Sequence, residues 1–313
     1  MTLLWKFLLA SSLPMKGEDF DYDLIPFPVY ASPKIDGERA GVQNGCMVSR
    51  NGLQFRNKAV QEKFGGAFFE GLDGELTLGK PYGPLLFTKT HSVVSSGQPE
   101  THALAMKLLR FNVFDYNYSN TVGDDATPFD SRQAVLNADF KNAGVNVVKQ
   151  TLIRNVAQLK AYEARQLAIG YEGVMLRRAD QGTYPQKSGK ENRSTLKAFD
   201  LVRMKRFEYD FARILVVHPL EHNLNTEQTA TGKRSTKKGS MVVDASLIGS
   251  ATLQDVKTGV VFNTTIGSNA LRGWAGWQNS ALWQGKEVRY KWQQCGTKDK
   301  PRINSCSFEE LGI

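Results

Sequence analysis

The stretch Lys34-Ile35-Asp36-Gly37-Glu38-Arg39 decides how this chain is interpreted. A lysine amine can attack phosphorus only after it loses a proton, and nearby cations, a bound metal or burial favour that loss. Arg39 supplies a positive charge, Asp36 can orient the amine, and Gly37 permits a tight backbone path beside a ligand. A turn with Lys34 and Asp36 as a surface ion pair would carry the same residues, so the string needs support from elsewhere in the chain.

Four further strings place polar or aromatic residues at apolar strand-like runs. They supply carboxylates for a divalent metal, an aromatic ring for stacking on a base, and cations for phosphates. Singly, each is explained as a solvated strand end, a core aromatic or a polar sheet face. Together with the lysine string they supply what nucleotidyl transfer requires. The four strings are Leu72-Asp73-Gly74-Glu75-Leu76, Phe111-Asn112-Val113-Phe114-Asp115, Glu172-Gly173-Val174-Met175-Leu176 and Leu201-Val202-Arg203-Met204-Lys205.

Secondary-structure signals indicate two parts. Asn44-Gly45 predicts a hairpin, Asp130 with Gln133 resembles a capping box that opens a helix to about Asn142, and Asn155 and Gly170 bound a second helix. The mixture of helices with mainly antiparallel strands up to residue 206 predicts an α+β fold. Short β-like segments with Gly, Asn and Thr-rich turns follow, and they predict a small antiparallel barrel.

In this order the strings resemble the covalent nucleotidyltransferase superfamily of ATP-dependent DNA ligases, RNA ligases and mRNA capping enzymes, and most closely the compact bacteriophage-type DNA ligases. The resemblance covers essentially the whole chain. It implies an adenylation (nucleotidyltransferase) domain over residues 1–206 and an OB-fold barrel over residues 207–313, with a hinge near Arg206-Phe207. It also implies ATP and Mg²⁺ or Mn²⁺ as cofactors, and nicked double-stranded DNA as the substrate whose 5′-phosphate and 3′-hydroxyl are joined.

The same resemblance assigns a role to each matching residue. Lys34 would carry AMP, Phe114 would stack on adenine, and Arg39 and Glu75 would contact the ribose side. Glu75 and Glu172 would hold the metal. The remaining implied contacts are those of Arg203 and Lys205 with the α-phosphate, of Arg50 with the nucleotide site and the nick's 5′-phosphate, and of Arg302 with the pyrophosphate leaving group.

Three positions depart from the family pattern. Arg203 replaces the usual lysine, which keeps the charge but not the compact ammonium group. Ser32 stands where ligases often have glutamate, so recognition of adenine has a different basis here. The C-terminal motif around Arg302, with Lys300 beside it, matches weakly.

The charge balance suits a polyanionic partner. Lys and Arg number 40 against 31 Asp and Glu, which gives a net charge of +9 and a pI near 9.3. We expect phosphate contacts, and therefore DNA binding that weakens steeply with salt. The residues expected to make them are Arg50, Lys187, Lys190, Arg193, Lys233, Arg234, Lys237 and Lys238. The last four lie in a basic segment that could equally be a solvated turn.

Composition also limits the alternatives. Three cysteines and four histidines form no zinc pattern, and no segment is long enough to span a membrane. The apolar run within Met1–Leu13 is interpreted as an amphipathic helix rather than a signal peptide. We therefore expect a cytoplasmic monomer, in a bacterial host if the chain is viral.

Two other functions remain open at this stage. An RNA ligase or a GTP-using capping guanylyltransferase would share the lysine string and the barrel. A non-catalytic nucleic-acid-binding protein would instead stack bases on barrel tryptophans. The tryptophans available for that role are Trp274, Trp277, Trp283 and Trp292.

Overall fold

The computed structural model divides the chain into two compact units, Met1–Lys205 and Arg206–Ile313. It describes residues 5–117, 127–179, 184, 192–226, 241–265, 280–293 and 302–306. The longest helix in these ranges has 14 residues. None of the described helices combines the length and apolar composition needed to cross a membrane.

The first unit contains twelve described strands. In chain order they are β1 (Ser11–Ser12), β2 (Met15–Lys16), β3 (Asp19–Phe20), β4 (Val29–Pro33), β5 (Glu38–Gln43), β6 (Cys46–Ser49), β7 (Leu72–Leu78), β8 (Leu109–Tyr116), β9 (Asn146–Val147), β10 (Thr151–Ile153), β11 (Val174–Arg178) and β12 (Val202–Met204). Two five-stranded sheets result, ordered β1-β12-β11-β4-β10 and β6-β5-β7-β8-β9, and β2 pairs with β3. Pairing is antiparallel except for β1 with β12 and β8 with β9.

Five α-helices flank these sheets in the described residues. The helix predicted between Asn155 and Gly170 is confirmed, because the Asn155 side chain accepts from Gln158 N at 3.0 Å and Gly170 ends the helix with φ of 104°. The capping box at Asp130 is absent: the helix starts one residue earlier and continues into a π-helical turn, Leu136–Phe140. The helices are α1 (Lys58–Phe64), α2 (Leu86–Val94), α3 (Pro99–Leu108), α4 (Phe129–Val135) and α5 (Val156–Ile169).

Each sheet of the first unit has its own hydrophobic core. Leu76, Phe111 and Leu136 are fully buried in the core beside β5, β7 and β8. Leu159 and Leu176 are fully buried in the core beside β4 and β11. Burial of each such side chain contributes about 1.5–3 kcal/mol. The two cores fix the two sheets whose strand ends carry the predicted site.

The predicted N-terminal helix is wrong. Residues 5–13 are extended, and β1 pairs in parallel with β12. Leu9 N donates to Asn192 O at 2.7 Å, and Leu13 N donates to Arg203 O at 3.0 Å. The apolar spacing that suggested a helix instead places Trp5, Phe7 and Leu8 in a core cluster. Pairing with a strand nearly 190 residues away overrides the local pattern.

The described strands of the second unit form one antiparallel sheet with the order β15-β14-β13-β16-β17. Its core includes Ile214, Leu253 and Trp283. Register shifts interrupt the long β13–β14 pair, two of them at Pro219, which has no N–H for the ladder. Within the described residues β15 and β17 are the edges of the sheet, so the predicted closed barrel is not formed there. The strands are β13 (Glu208–Asn223), β14 (Met241–Asp255), β15 (Val261–Thr265), β16 (Glu287–Gln293) and β17 (Arg302–Cys306).

Candidate active site

Main-chain hydrogen bonds hold Lys34 beside Glu172. Lys34 N donates to Gly173 O at 2.9 Å, and Glu172 N donates to Lys34 O at 3.1 Å. These bonds extend the β4–β11 ladder, in which Pro33 faces Val174, by one step beyond the strands. Two residues 138 positions apart in sequence thus emerge side by side at the end of the sheet.

Two glycines allow neighbouring strands to approach this point closely. A Cβ atom at Gly37 would lie 2.3 Å from Leu76 O on β7. Gly173 has φ of +154°, and a Cβ there would lie 2.2 Å from Met204 O. The glycines in the lysine and glutamate strings are therefore explained by packing between strands, in addition to any role beside a ligand.

Glu172 forms ion pairs with both Lys34 and Lys205, one through each carboxylate oxygen. The Glu172 side chain is only 4% exposed, and those of Lys34 and Lys205 are 18% and 13% exposed. Burial alone would raise the pKa of Glu172, but the two ammonium groups hold it below its usual value. The alternative of a solvated strand end does not apply to this residue.

Arg39 is fixed by a buried carboxylate. Its Nε and Nη2 atoms donate to the two oxygens of Asp73, both at 2.7 Å. Its guanidinium lies 4.5 Å from the ring centroid of Phe114, a cation–π contact. One face of the Phe114 ring is thereby covered by Arg39.

Glu75 lies on β7, where it is directly opposite Arg39 of β5 in the antiparallel pairing. Burial raises the pKa of Glu75 to about 8, although the charges of Arg39 and Lys34 oppose that rise. A carboxyl group with this pKa is mostly protonated at pH 7. It can then donate as well as accept a hydrogen bond.

The predicted residues of the first unit converge on one pocket. Its cavity volume is about 290 Å³, close to the lower end of the usual range for small-molecule pockets, roughly 300–1,000 Å³. Glu172 joins the group through its ion pair with Lys34, and Lys205 joins it through its ion pair with Glu172. The predicted residues that line the pocket are Lys34, Arg39, Arg50, Glu75, Phe114, Arg193 and Arg203.

Other predicted contacts are not described by the structure. Lys187, Lys190, Lys233, Arg234, Lys237 and Lys238 lie outside the described residues. Arg302 begins β17 in the second unit, but its side chain is not among the described atoms. Trp274 and Trp277 also lie outside the described residues.

The described barrel tryptophans do not form a stacking surface. Trp283 is 2% exposed and belongs to the core of the second unit. Trp292 Nε1 donates to Asp210 Oδ2 at 3.0 Å, and its ring packs against the same core. Both are thus engaged within the sheet, so neither of these two described tryptophans supports base stacking.

Three buried residues at the site were not predicted as functional. Asp73 accepts hydrogen bonds from Arg39, and Tyr184 Oη donates to Asp73 Oδ2 at 2.7 Å. Arg177 lines the pocket, and its Nη1 pairs with Asp115 at 2.9 Å. Asp73 stands two residues before Glu75 in a string already singled out, so alternation on one strand face was an available signal. Tyr184 lies in a segment without any strand or helix signal, and nothing local identifies it.

Comparison with known proteins identifies the class. Residues 9–198 match the family of the ATP dependent DNA ligase domain. This match covers more than half of the chain, which therefore belongs to that family. The chain is an ATP-dependent DNA ligase, as the sequence predicted.

Solved structures of other DNA ligases are similar to this chain. A Lig E DNA ligase, from a study of DNA binding with a minimal scaffold, is 21% identical over 96% of this chain and 97% of its own, with a TM-score of 0.62. Chlorella virus DNA ligase-adenylate is 27% identical over 99% of this chain and 98% of its own, with a TM-score of 0.48. Among curated proteins none is a significant match. The predicted fold class, an α+β nucleotidyltransferase part followed by an all-β part, is confirmed.

Proposed function

We propose that Lys34 is the residue that carries AMP during ligation. The observation that supports this most strongly is the convergence of Lys34, Glu75 and Phe114 on one pocket, with Glu172 paired to the lysine amine and Lys205 paired to the other oxygen of Glu172. Lys34 Nζ attacks the α-phosphate of ATP, an N–P bond forms, and pyrophosphate leaves. Arg203 and Lys205 supply positive charge near the phosphoryl oxygens, on which negative charge accumulates.

The adenosine part of ATP fits the inner wall of the pocket. Phe114 is half-buried and its ring has Arg39 on one side, so the face toward the pocket is available for adenine. Glu75 is placed beside Arg39 to bond a ribose hydroxyl. Ser32 lines the same wall in place of the glutamate that ligases often have, and Met175 faces it across the β4–β11 ladder.

The ionised carboxylate of Glu172, and that of Glu75 once it has lost its proton, fit a divalent cation of the Mg²⁺ class. Mg²⁺ takes one or two protein carboxylates and completes its shell with water and substrate phosphates. The described residues contain no cluster of three or more Asp, Glu, His or Cys side chains that could hold a metal. This donor set therefore suits a cation that arrives with the nucleotide and neutralises phosphate charge.

The second and third steps use the same pocket with a DNA nick as the acceptor. AMP passes from Lys34 to the 5′-phosphate of the nick, and the 3′-hydroxyl then displaces AMP to form the phosphodiester bond. Arg50 is exposed at the pocket and supplies a cation for the 5′-phosphate. Arg193, whose Nη1 donates to Ala10 O at 3.0 Å, borders the same opening.

The domain assignment and the setting complete the proposal. Residues 1–206 form the adenylation domain and residues 207–313 the OB-fold domain, in which Arg302 contacts pyrophosphate. The basic segments with Lys187, Lys190, Lys233, Arg234, Lys237 and Lys238 grip the DNA backbone. The protein acts as a cytoplasmic monomer.

The test is covalent labelling followed by sealing. Wild type incubated with α-labelled ATP and Mg²⁺ should retain label on the protein, and it should seal a 5′-phosphorylated nicked duplex. Lys34→Ala should lose both activities by at least about 10³-fold, because no other amine replaces the nucleophile. Lys89→Ala, which removes an exposed lysine from α2, is the matched control and should keep both.

The same labelling separates the related functions. A protein that takes label from GTP and not from ATP would be a guanylyltransferase, and the assignment to ligation would be lost. Label that persists in Lys34→Ala would place the adenylate on another residue.

A further inference from the structure

Phe114 occupies an irregular position on its strand. In the β7–β8 ladder Gly74 faces Val113 and Asp73 faces Asp115, so Phe114 is the extra residue of a β-bulge. On the other side of β8, the described pairing with β9 covers Asn112 and Val113 and stops before Phe114. A bulged residue leaves the ladder, and its side chain is re-aimed. Its main-chain groups then need partners from elsewhere.

Helix α4 supplies such a partner. Gln133 Nε2 donates to Phe114 O at 2.9 Å, and α4 packs against β8. Gln133 belongs to the pattern that resembled a capping box, but the structure gives α4 no side-chain cap. The glutamine amide thus reaches across to the bulge.

The preceding residue of α4 fixes the next residue of β8. Arg132 Nε donates to Asp115 Oδ1 at 2.8 Å, and Arg132 is only 2% exposed. Arg132 Nη1 donates to Thr127 O at 2.8 Å, and Arg177 Nη1 pairs with the other Asp115 oxygen at 2.9 Å. Two consecutive residues of α4 therefore hold two consecutive residues of the bulged strand.

We propose that Gln133 is a positioning residue for nucleotide binding: it fixes the bulged main chain at Phe114 so that the ring presents its free face to the base of ATP. Gln133 itself does not line the pocket. The inference rests on the proposed role of Phe114, because it explains how the stacking ring is held. The opposite face of the ring is already covered by the Arg39 guanidinium at 4.5 Å. Arg39 and Gln133 together leave one orientation in which adenine can stack.

The experiment compares three variants in self-adenylation. Gln133→Met keeps the side-chain size and the helix propensity but removes the donor. Gln133→Lys keeps an N–H donor on a side chain of similar reach. Asn137→Ala is the control, because its exposed amide donates to Gln133 O on the same helical stretch and not to the main chain at Phe114.

The expected result is a change in KM with little change in kcat. For Gln133→Met we expect the KM for ATP to rise about fivefold to tenfold, the factor that corresponds to one lost hydrogen bond. Gln133→Lys should recover most of the loss, and Asn137→Ala should match wild type. Binding of 2-aminopurine riboside triphosphate adds a direct measure, since stacking quenches its fluorescence, and Gln133→Met should quench it less at saturation.

Other outcomes would overturn the inference. If Gln133→Met and Asn137→Ala have the same KM and the same quenching, Gln133 does not position the ring, although ligation by Lys34 stands. A fall in melting temperature without those two changes would likewise assign Gln133 a merely structural role. If wild type takes no label from ATP, the proposed function fails and this inference fails with it.

Discussion

Lys34 and Lys205 share the single carboxylate of Glu172, and all three side chains are largely shielded from water. Removing one member of such a group leaves an uncompensated charge, which is far more costly than the loss of an exposed pair. In the proposed reaction a nucleotide phosphate would bring negative charge that compensates both lysines in place of Glu172.

Gly37 offers a test of how tightly the strands beside Lys34 must pack. Gly37→Ala would place a Cβ 2.3 Å from Leu76 O, a backbone atom that cannot move alone. We expect the free energy of unfolding to fall by about 1–3 kcal/mol, the usual cost of overpacking. Self-adenylation should fall as well, because the strand that follows Lys34 is displaced.

Urea denaturation and ATP labelling measure these two effects. Gly97→Ala is the control, because no atom lies within 4 Å of the added Cβ. Equal stability of the two variants would mean that β5 and β7 can separate without cost.

Among the secondary-structure elements, the sequence correctly predicted the helix ends and the turn that are fixed by interactions between neighbouring residues. Asn155 and Gly170 mark the ends of α5 because a cap and a left-handed residue act within one turn. The Asn44-Gly45 hairpin is confirmed for the same reason, with φ of 52° and 71° at its two turn residues. The extended segment before Leu13 was not predictable in this way, because its partners come from residues 192–203.

The site residues also divide into those that the local sequence identifies and those that depend on distant partners. The strings around Lys34, Glu75, Phe114 and Glu172 were identified from residue types and spacing, and the pocket and its ion pairs bring these side chains together. The bulge at Phe114 depends on the register of two strands, and no property of β8 alone reveals it. Roles that depend on a distant partner, such as that of Gln133, therefore required the structure.

The buried charges behind the pocket give a prediction about pH. Burial opposes ionisation of Asp115, but Arg132 and Arg177 hold its pKa below the ordinary value of 3.8. A lowered pKa stabilises the folded protein above pH 3.8, and that contribution is lost as the pH falls through the folded-state pKa. Asp115→Asn should lower the free energy of unfolding by about 3–5 kcal/mol at pH 7, because two buried guanidinium groups lose their counter-ion.

Denaturant unfolding at several pH values measures this difference. The difference in the free energy of unfolding between wild type and Asp115→Asn should be constant from pH 7 to about pH 5, and it should become smaller below pH 3.8. Asp139→Asn, at an exposed position of the π-helical turn, removes the same charge as a control and should change little. A gap that stays constant down to pH 3 would show that the arginines do not depend on the Asp115 charge.

At the scale of the whole molecule, the net positive charge and the arginines of the pocket both favour contacts with the DNA backbone. The chain carries +9, and the pocket of the first unit contributes Arg39, Arg50, Arg193 and Arg203 to that charge. Arg39 is committed to Asp73, whereas Arg50 is exposed. An exposed cation such as Arg50 can contact a DNA phosphate and release the counter-ion bound there.

Arg50 therefore gives the last prediction, which concerns DNA binding alone. Binding of a nicked duplex without ATP and with EDTA should weaken linearly in log Kd against log salt, with a slope near 0.9 per phosphate contact. Arg50→Ala should reduce that slope by about one and weaken binding equally for unrelated duplex sequences, because a phosphate contact carries no base information. Lys89→Ala removes the same charge from α2, outside the pocket, and should leave the slope nearly unchanged. If both variants lower the slope equally, net charge alone governs binding and Arg50 has no specific phosphate partner.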